Sequence, residues 1–134
     1  MRLLPDTNVL IYETVEDSKH HEEACRILDQ AKEIFMPSIV LHEYLWVAPK
    51  LGIDMRIVLA KIVEYLEDPR TYYFAEWLDV YRSAIKMLLE DGKSHRELND
   101  YIILAVAYKE ELVLATYDSE LREVATQRNI RVIP

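Results

Sequence analysis

With 134 residues, 51% of them hydrophobic and 30% charged, the chain has the length of one domain and the apolar content for a packed core, which excludes a disordered polymer. Two glycines leave no Gly-rich phosphate loop, one cysteine leaves no internal disulfide, and the longest apolar run, 101–108, is far short of the roughly 18 residues of a membrane span. The net charge of −8 argues against a broad basic face for duplex nucleic acid, and nothing at the start reads as a signal peptide, so the expected compartment is the cytoplasm.

Residues 2–5 form a short apolar run that stops at Asp6, and the polar pair Thr7-Asn8 leads into Val9 to Tyr12. This reads as strand, turn and short helix. A second helix is expected over 18–32, where Ala24, Ile27, Leu28 and Ala31 recur at i, i+3, i+4 and i+7. A brief strand over 34–36 closes at Pro37. Ser38 is placed to cap a helix running to about Val47, punctuated by Pro49 and Gly52. Another helix is expected over 54–67, broken by Asp68-Pro69, and 71–74 is β-rich. Trp77, Val80, Tyr81, Ala84, Ile85 and Leu88 then make one amphipathic stripe that Gly92 ends.

Ser94-His95-Arg96-Glu97 fits a capping box. The helix it opens is apolar nearly all round from Tyr101 to Tyr108 and should be central. A strand over 112–116, a helix over 119–127 and a last strand over 130–133 complete the chain. Strands alternating with helices imply an α/β fold in one domain, 1–134, with a parallel sheet. Such sheets bind ligands beyond the carboxyl ends of their strands, where strand order reverses. Asp6 and Asp118 sit at two such ends.

Four carboxylates draw attention, each with an ordinary alternative. Asp6 is either a turn or cap residue or a ligand. Glu43 lies among Ile39, Val40, Tyr44, Leu45, Trp46 and Val47, where an unpaired carboxylate needs a compensating partner such as a cation; otherwise it shares a solvent-facing strip with His42. Asp100 falls in the second turn if Ser94 is the cap, on the edge of the buried face; its alternative is a salt bridge to Arg96. Asp118 suits an N-cap equally well. As a set, four converging acids repel one another, and a hard divalent cation with oxygen ligands resolves that repulsion. Mg²⁺ or Mn²⁺ matches these donors, whereas zinc does not. Four metal-bound acids would reduce the uncompensated charge from −8 to −4. Adjacent His20-His21 are expected at the surface and Cys25 in the core.

Asp6-Thr7-Asn8 after the first strand, Glu43 in a mid-chain helix, Asn99-Asp100 before Ile-Ile-Leu-Ala-Val-Ala, and Thr116-Tyr117-Asp118 after a late strand together resemble the PIN-domain nucleases. The likeness covers essentially the whole chain and is nearest to the stand-alone VapC-type toxins of toxin–antitoxin pairs. It implies a three-layer α/β/α fold with a parallel sheet in order 3-2-1-4-5. It also implies a Mg²⁺- or Mn²⁺-dependent endoribonuclease in which Asp6, Glu43, Asp100 and Asp118 are catalytic. Asp6, Asp100 and Asp118 would bind metal most directly, while Thr7, Asn8 and Thr116 support them.

Lys93 and Arg96, with Arg70 as a further candidate, would guide RNA phosphates. The helices over 38–67 would form a homodimer and receive an antitoxin. Pro5 departs from expectation, because a central strand has little use for a residue without an N–H. A misplaced first ligand would leave a catalytically degenerate module that binds RNA or a protein partner. A phosphatase of haloacid-dehalogenase type is disfavoured, since it requires a second Asp where Asn8 stands.

Overall fold

A computed structural model describes residues 1–134. In chain order its elements are β1 (Arg2–Pro5), α1 (Thr7–Thr14), α2 (His21–Gln30), β2 (Glu33–Pro37), α3 (Ser38–Lys50), α4 (Met55–Glu67), β3 (Thr71–Phe74), α5 (Leu78–Glu90), a 3₁₀ turn (His95–Glu97), α6 (Leu98–Lys109), β4 (Val113–Ala115), α7 (Ser119–Gln127) and β5 (Val132–Ile133). All strand pairs are parallel, in the order β3-β2-β1-β4-β5. The chain therefore steps outward from β1 in one direction, returns, and steps outward in the other. Right-handed crossovers in opposite directions place helices on both faces and open a crevice beyond β1 and β4.

Alternate backbone groups of a strand point to opposite neighbours. Asp6 N donates to Ala115 O at 2.8 Å on the β4 side, so position 5 faces β2. Pairing with β2 ends at Leu3↔Ile34, one step short of the bond a residue-5 N–H would make, so the proline shortens the β2 side of the ladder and leaves the β4 side whole. Asp6 is fixed in spite of the proline before it.

The core is one cluster that includes Leu3 and Leu4 of β1, Leu114 of β4 and every position of α6 from Tyr101 to Ala107. The helix that reads as apolar all round is the buried one. It packs along α5 and also touches α3 and α7.

Several details differ from the sequence reading. Ser94 caps only the 3₁₀ turn, accepting from Arg96 N at 3.3 Å. The α-helix starts afresh at Leu98, so Asp100 lies in its first turn and not its second. Ser38 is the first helical residue of α3 and not its cap. The free N–H of Ile39 donates to Glu76 Oε1 at 2.7 Å, and Ser38 Oγ donates to the other Glu76 oxygen. A carboxylate from 37 residues away thus does the work assigned to a local serine, favourably placed at a helix N-terminus.

The stripe expected on α5 divides in two. Val80, Ala84, Met87 and Leu88 face the core, whereas Trp77, Tyr81 and Ile85 join Leu78 and Leu89 at the surface. Similarly, Tyr44 and Tyr65 of the α3–α4 pair are buried, and Leu45, Trp46, Val47, Ile57, Leu59 and Val63 are exposed. His20 and His21 are half-buried rather than superficial. No helix is long and apolar enough to cross a membrane.

Candidate metal centre and active site

The crevice beyond β1 and β4 is built on three consecutive residues, Asp6, Thr7 and Asn8. Asp6 leaves β1 with extended φ/ψ and serves as N-cap of α1, its Oδ1 accepting from Thr7 N at 2.8 Å. Its Oδ2 accepts from Thr116 Oγ1 at 2.8 Å and from Asn8 Nδ2 at 3.0 Å. Thr116, wholly buried just past β4, also accepts from Asp118 N at 3.0 Å, so one hydroxyl ties the first acid to the last. Asn8 Oδ1 accepts from Tyr117 N at 3.1 Å and closes the loop. Arg122 of α7 donates to Thr116 O at 3.0 Å and fixes the same strand end from outside.

Glu43 joins through Thr7, whose hydroxyl donates to Oε2 at 2.8 Å. Its neighbours Leu45, Trp46 and Val47 point outward to solvent. The apolar surroundings that singled out Glu43 in the sequence are therefore not its actual surroundings; a polar partner on α1 is what holds it. Asp118 caps α7, with Oδ1 accepting from Glu120 N at 2.8 Å and Leu121 N at 3.2 Å. Cap and site are not exclusive roles, because a carboxylate has about four lone-pair positions and these bonds use one oxygen.

Asp100 is the unpartnered member. It is half-buried, accepts no hydrogen bond from the protein, and forms no ion pair with Arg96 or any other cation. Burial pushes its carboxyl up to about 7, with further upward pressure from Asp6, Asp118, Glu43 and Glu97. Asp6 is pushed up to about 6 by burial, against the lowering effect of its bonds from Thr116 and Thr7, while Glu43 and Asp118 again raise it. The four acids thus share one electrostatic neighbourhood, and no lysine or arginine neutralises it.

Oxygen donors, several lone pairs left open and no local counter-charge are the chemistry of a hard divalent cation site. In this respect the residues fit such an ion. No three acidic or imidazole groups stand as a ready-made ligand cage; the four acids lie around the strand ends as one electrostatic group.

Lys93 lines a cavity of about 420 Å³ that opens beside Asp100, among Asp91, Glu97, Glu120 and Glu123. Arg96 is exposed on the turn leading into α6. Arg70 is committed elsewhere, to Asp68 at 2.7 Å and to the carbonyls of Leu28 and Ala31, and ties α2 to the start of β3. It is a structural residue at the opposite end of the sheet from the acids. Arg122 supports the crevice from outside and Glu76 holds the start of α3, and no local pattern announces either. Behind α1, Glu13 accepts from Lys61 at 2.8 Å and from the Tyr65 hydroxyl at 2.5 Å, a half-buried network that anchors α4.

Comparison with known proteins agrees with this architecture. Mycobacterium tuberculosis VapC20, a Sarcin-Ricin loop cleaving toxin, superposes with a TM-score of 0.77 at 16% identity, covering 90% of this chain and 93% of that one. VapBC2 from Rickettsia felis, bound to a DNA fragment from its promoter, gives 0.70 at 19% identity over 99% of this chain and 98% of that one. FitAcB from Neisseria gonorrhoeae gives 0.66 at 20% identity, over 98% and 96%. At these identities the likeness shows the fold. No curated protein sequence matches the chain. The family model of the PIN domain matches residues 3–127, nearly the whole length. The chain belongs to the PIN domain family.

Proposed function

We propose that this chain is a Mg²⁺- or Mn²⁺-dependent endoribonuclease, acting as one domain and serving as the toxin of a type II toxin–antitoxin pair. The observation that carries the reading is Asp100, a half-buried carboxylate with no protein partner, held up to about 7 beside three other acids. A protein does not keep such a group for stability. Fold likeness to solved VapC and VapBC structures supports the toxin assignment.

Asp6, Asp100 and Asp118 would hold the ion, with Glu43 at the outer edge of the same charge. A bound divalent ion supplies Lewis acidity toward a phosphoryl oxygen and lowers the pKa of water. The chain's own part is orientation. Thr7 N, Thr116 and Asn8 fix the orientation of the Asp6 carboxylate, the Thr7 hydroxyl holds one oxygen of Glu43, and the α7 cap restrains Asp118. Lys93, from the cavity beside Asp100, and Arg96, exposed on the turn before α6, would meet backbone phosphates. Exposed apolar residues of α3 and α4, among them Trp46, Ile57 and Leu59, supply the surface for a homodimer and an antitoxin, since contiguous apolar patches mark interfaces.

One observation favours a second reading. The acids do not form a ready-made cage, as expected of a degenerate member that binds RNA or a partner without cleaving. Incubating purified protein with RNA in EDTA, Mg²⁺ and Mn²⁺ separates the two. Cleavage that requires the ion and disappears in Asp6→Asn and Asp100→Asn supports the nuclease. Absent cleavage, together with no binding of Mn²⁺ by calorimetry, establishes the degenerate module.

A further inference from the structure

Beside the acids lies a cluster of rings that the chemistry above does not use. His20 and Tyr117 are stacked, with centroids 4.3 Å apart and planes 16° from parallel. Tyr12 is perpendicular to both at 82°, and its centroid is 4.9 Å from His20 and 5.0 Å from Tyr117. That near-equal spacing puts Tyr12 alongside the stack rather than over its end, and no other aromatic ring covers the outer faces. All three residues are half-exposed.

The position of the cluster is as informative as its geometry. Tyr117 stands between Thr116 and Asp118, and its N–H is held by the same Asn8 that holds Asp6. Tyr12 lies one helical turn beyond Asn8 on α1. The rings are also fixed in advance. The Tyr117 hydroxyl donates to Glu23 Oε1 at 2.9 Å, which anchors that ring directly, and Tyr12 and His20 are held by packing edge-on and face-on against it. Packing alone needs no such hydroxyl anchor at a half-exposed ring, whereas a ligand platform profits from it because ordering costs are met before binding.

The geometry points to a base-stacking subsite in which Tyr12, His20 and Tyr117 hold one unpaired RNA base next to the phosphate presented to Asp6 and Asp118. This rests on the ribonuclease reading. A chain of net charge −8 gains only a small part of its affinity from counterion release along a phosphate backbone. Stacking carries no charge penalty, accepts any base, and is strong enough to position one nucleotide. A base inside a duplex has both faces covered, so the subsite selects an unpaired segment such as a loop.

The test uses short single-stranded RNA containing one cleaved bond, with an abasic nucleotide placed in turn on either side of it, and leaves the wild-type protein intact. At one position the abasic substrate is expected to raise KM about tenfold with kcat little changed. His20→Leu should raise KM for the normal RNA by a similar factor, lose further sensitivity to the abasic position, and be rescued by His20→Phe. Thermal melts of both variants confirm folding. Wild-type KM in both His20→Leu and Tyr12→Leu, or penalties from protein and substrate that simply multiply, would overturn the subsite. If wild type cleaves no RNA with either metal, the ribonuclease reading fails separately. Quenching of a 2-aminopurine base in single-stranded RNA, measured in EDTA, then decides the subsite alone: quenching lost in His20→Leu supports it, and no quenching by wild type refutes it.

Discussion

Replacing Asp100 by Asn removes one charge from the acidic group and keeps the shape of the side chain. In metal-free buffer at pH 7 the carboxyl is held up to about 7 against an ordinary 3.8. Taken whole, that gap corresponds to about 4 kcal/mol of destabilisation by the ionised form. Solvent screening at a half-exposed group leaves about 1–2 kcal/mol, or roughly 4–8 °C in Tm for a domain of this size. The variant should therefore melt above wild type in EDTA. The pH dependence follows from the same shifts. Asp100 and Asp6 (about 6) both titrate above 3.8 in the folded chain, so between about pH 4 and 7 the folded state binds more protons than the unfolded one. Their contribution to stability is greatest below pH 4 and is lost as pH rises through 6 and 7. Other carboxylates, such as Asp68 held low by Arg70, slope the opposite way, so the quantity to read is wild type minus variant. Calorimetric melts from pH 4 to 8, in EDTA and in Mn²⁺, supply it. The difference should open with rising pH in EDTA and shrink in Mn²⁺, which stabilises wild type more than the variant. An Asp100→Asn that melts lower than wild type at every pH, and still cleaves RNA, refutes the reasoning.

Thr116→Val keeps the volume of a fully buried side chain but removes its bonds to Asp6 and Asp118 N; denaturant titration should show a loss of about 1–3 kcal/mol, and RNA cleavage should fall about 10–100-fold as ligand orientation is lost. Glu76→Gln, read by the same titration, should cost about 1 kcal/mol by weakening the charged cap of α3. Its KM for RNA should stay within about twofold of wild type, because losing a helix cap acts on stability and not on the site. Trp46→Glu together with Ile57→Glu should convert a dimer to monomer in sedimentation velocity at micromolar concentration; wild type already monomeric there removes the homodimer from the proposal. Lys93→Ala should raise KM for RNA with a smaller dependence on salt, and an unchanged salt slope assigns Lys93 to ordinary surface charge.

Much of the fold was legible because its signals are local. Alternation of short strands with helices implies a parallel sheet, and the unbroken apolar run of α6 names the buried helix. Failures occur where a distant residue supersedes a local one. Ser38 looks like a cap, but Glu76 satisfies α3. Ser94 and Glu97 look like a box, but a 3₁₀ turn intervenes and returns Asp100 to the first turn of α6. Periodicity on α5 reports apolar residues without saying which stripe faces the core, because Val80-Ala84-Met87-Leu88 and Trp77-Tyr81-Ile85-Leu89 share one helical spacing. Among the candidate acids, Asp6 and Asp118 follow from the strand-end rule. Glu43 was singled out for a burial it lacks, and its bond from Thr7 depends on how α1 and α3 pack. The rings of Tyr12, His20 and Tyr117 come from three separate segments, and no spacing in the chain brings them together.

The four acids are not equivalent, and the difference divides their labour. Asp6 accepts three hydrogen bonds, which oppose the effect of burial and keep its geometry fixed whether or not it is charged. Asp118 and Glu43 are each tied at one oxygen and open at the other. Asp100 has no bond at all and bears the largest upward pressure from the rest. A group built this way has three members positioned in advance and one whose ionisation depends on what neutralises its neighbours. Near pH 7 the proton on Asp100 is in competition with any cation that enters the crevice, so binding of a divalent ion should release close to half a proton per site at neutral pH and progressively more below it. Calorimetry of Mn²⁺ binding in two buffers of different ionisation enthalpy measures that number directly. Proton release that rises as pH falls from 7.5 to 6, and is reduced in Asp100→Asn, is the expected result; binding with no buffer dependence in wild type removes Asp100 from the metal centre.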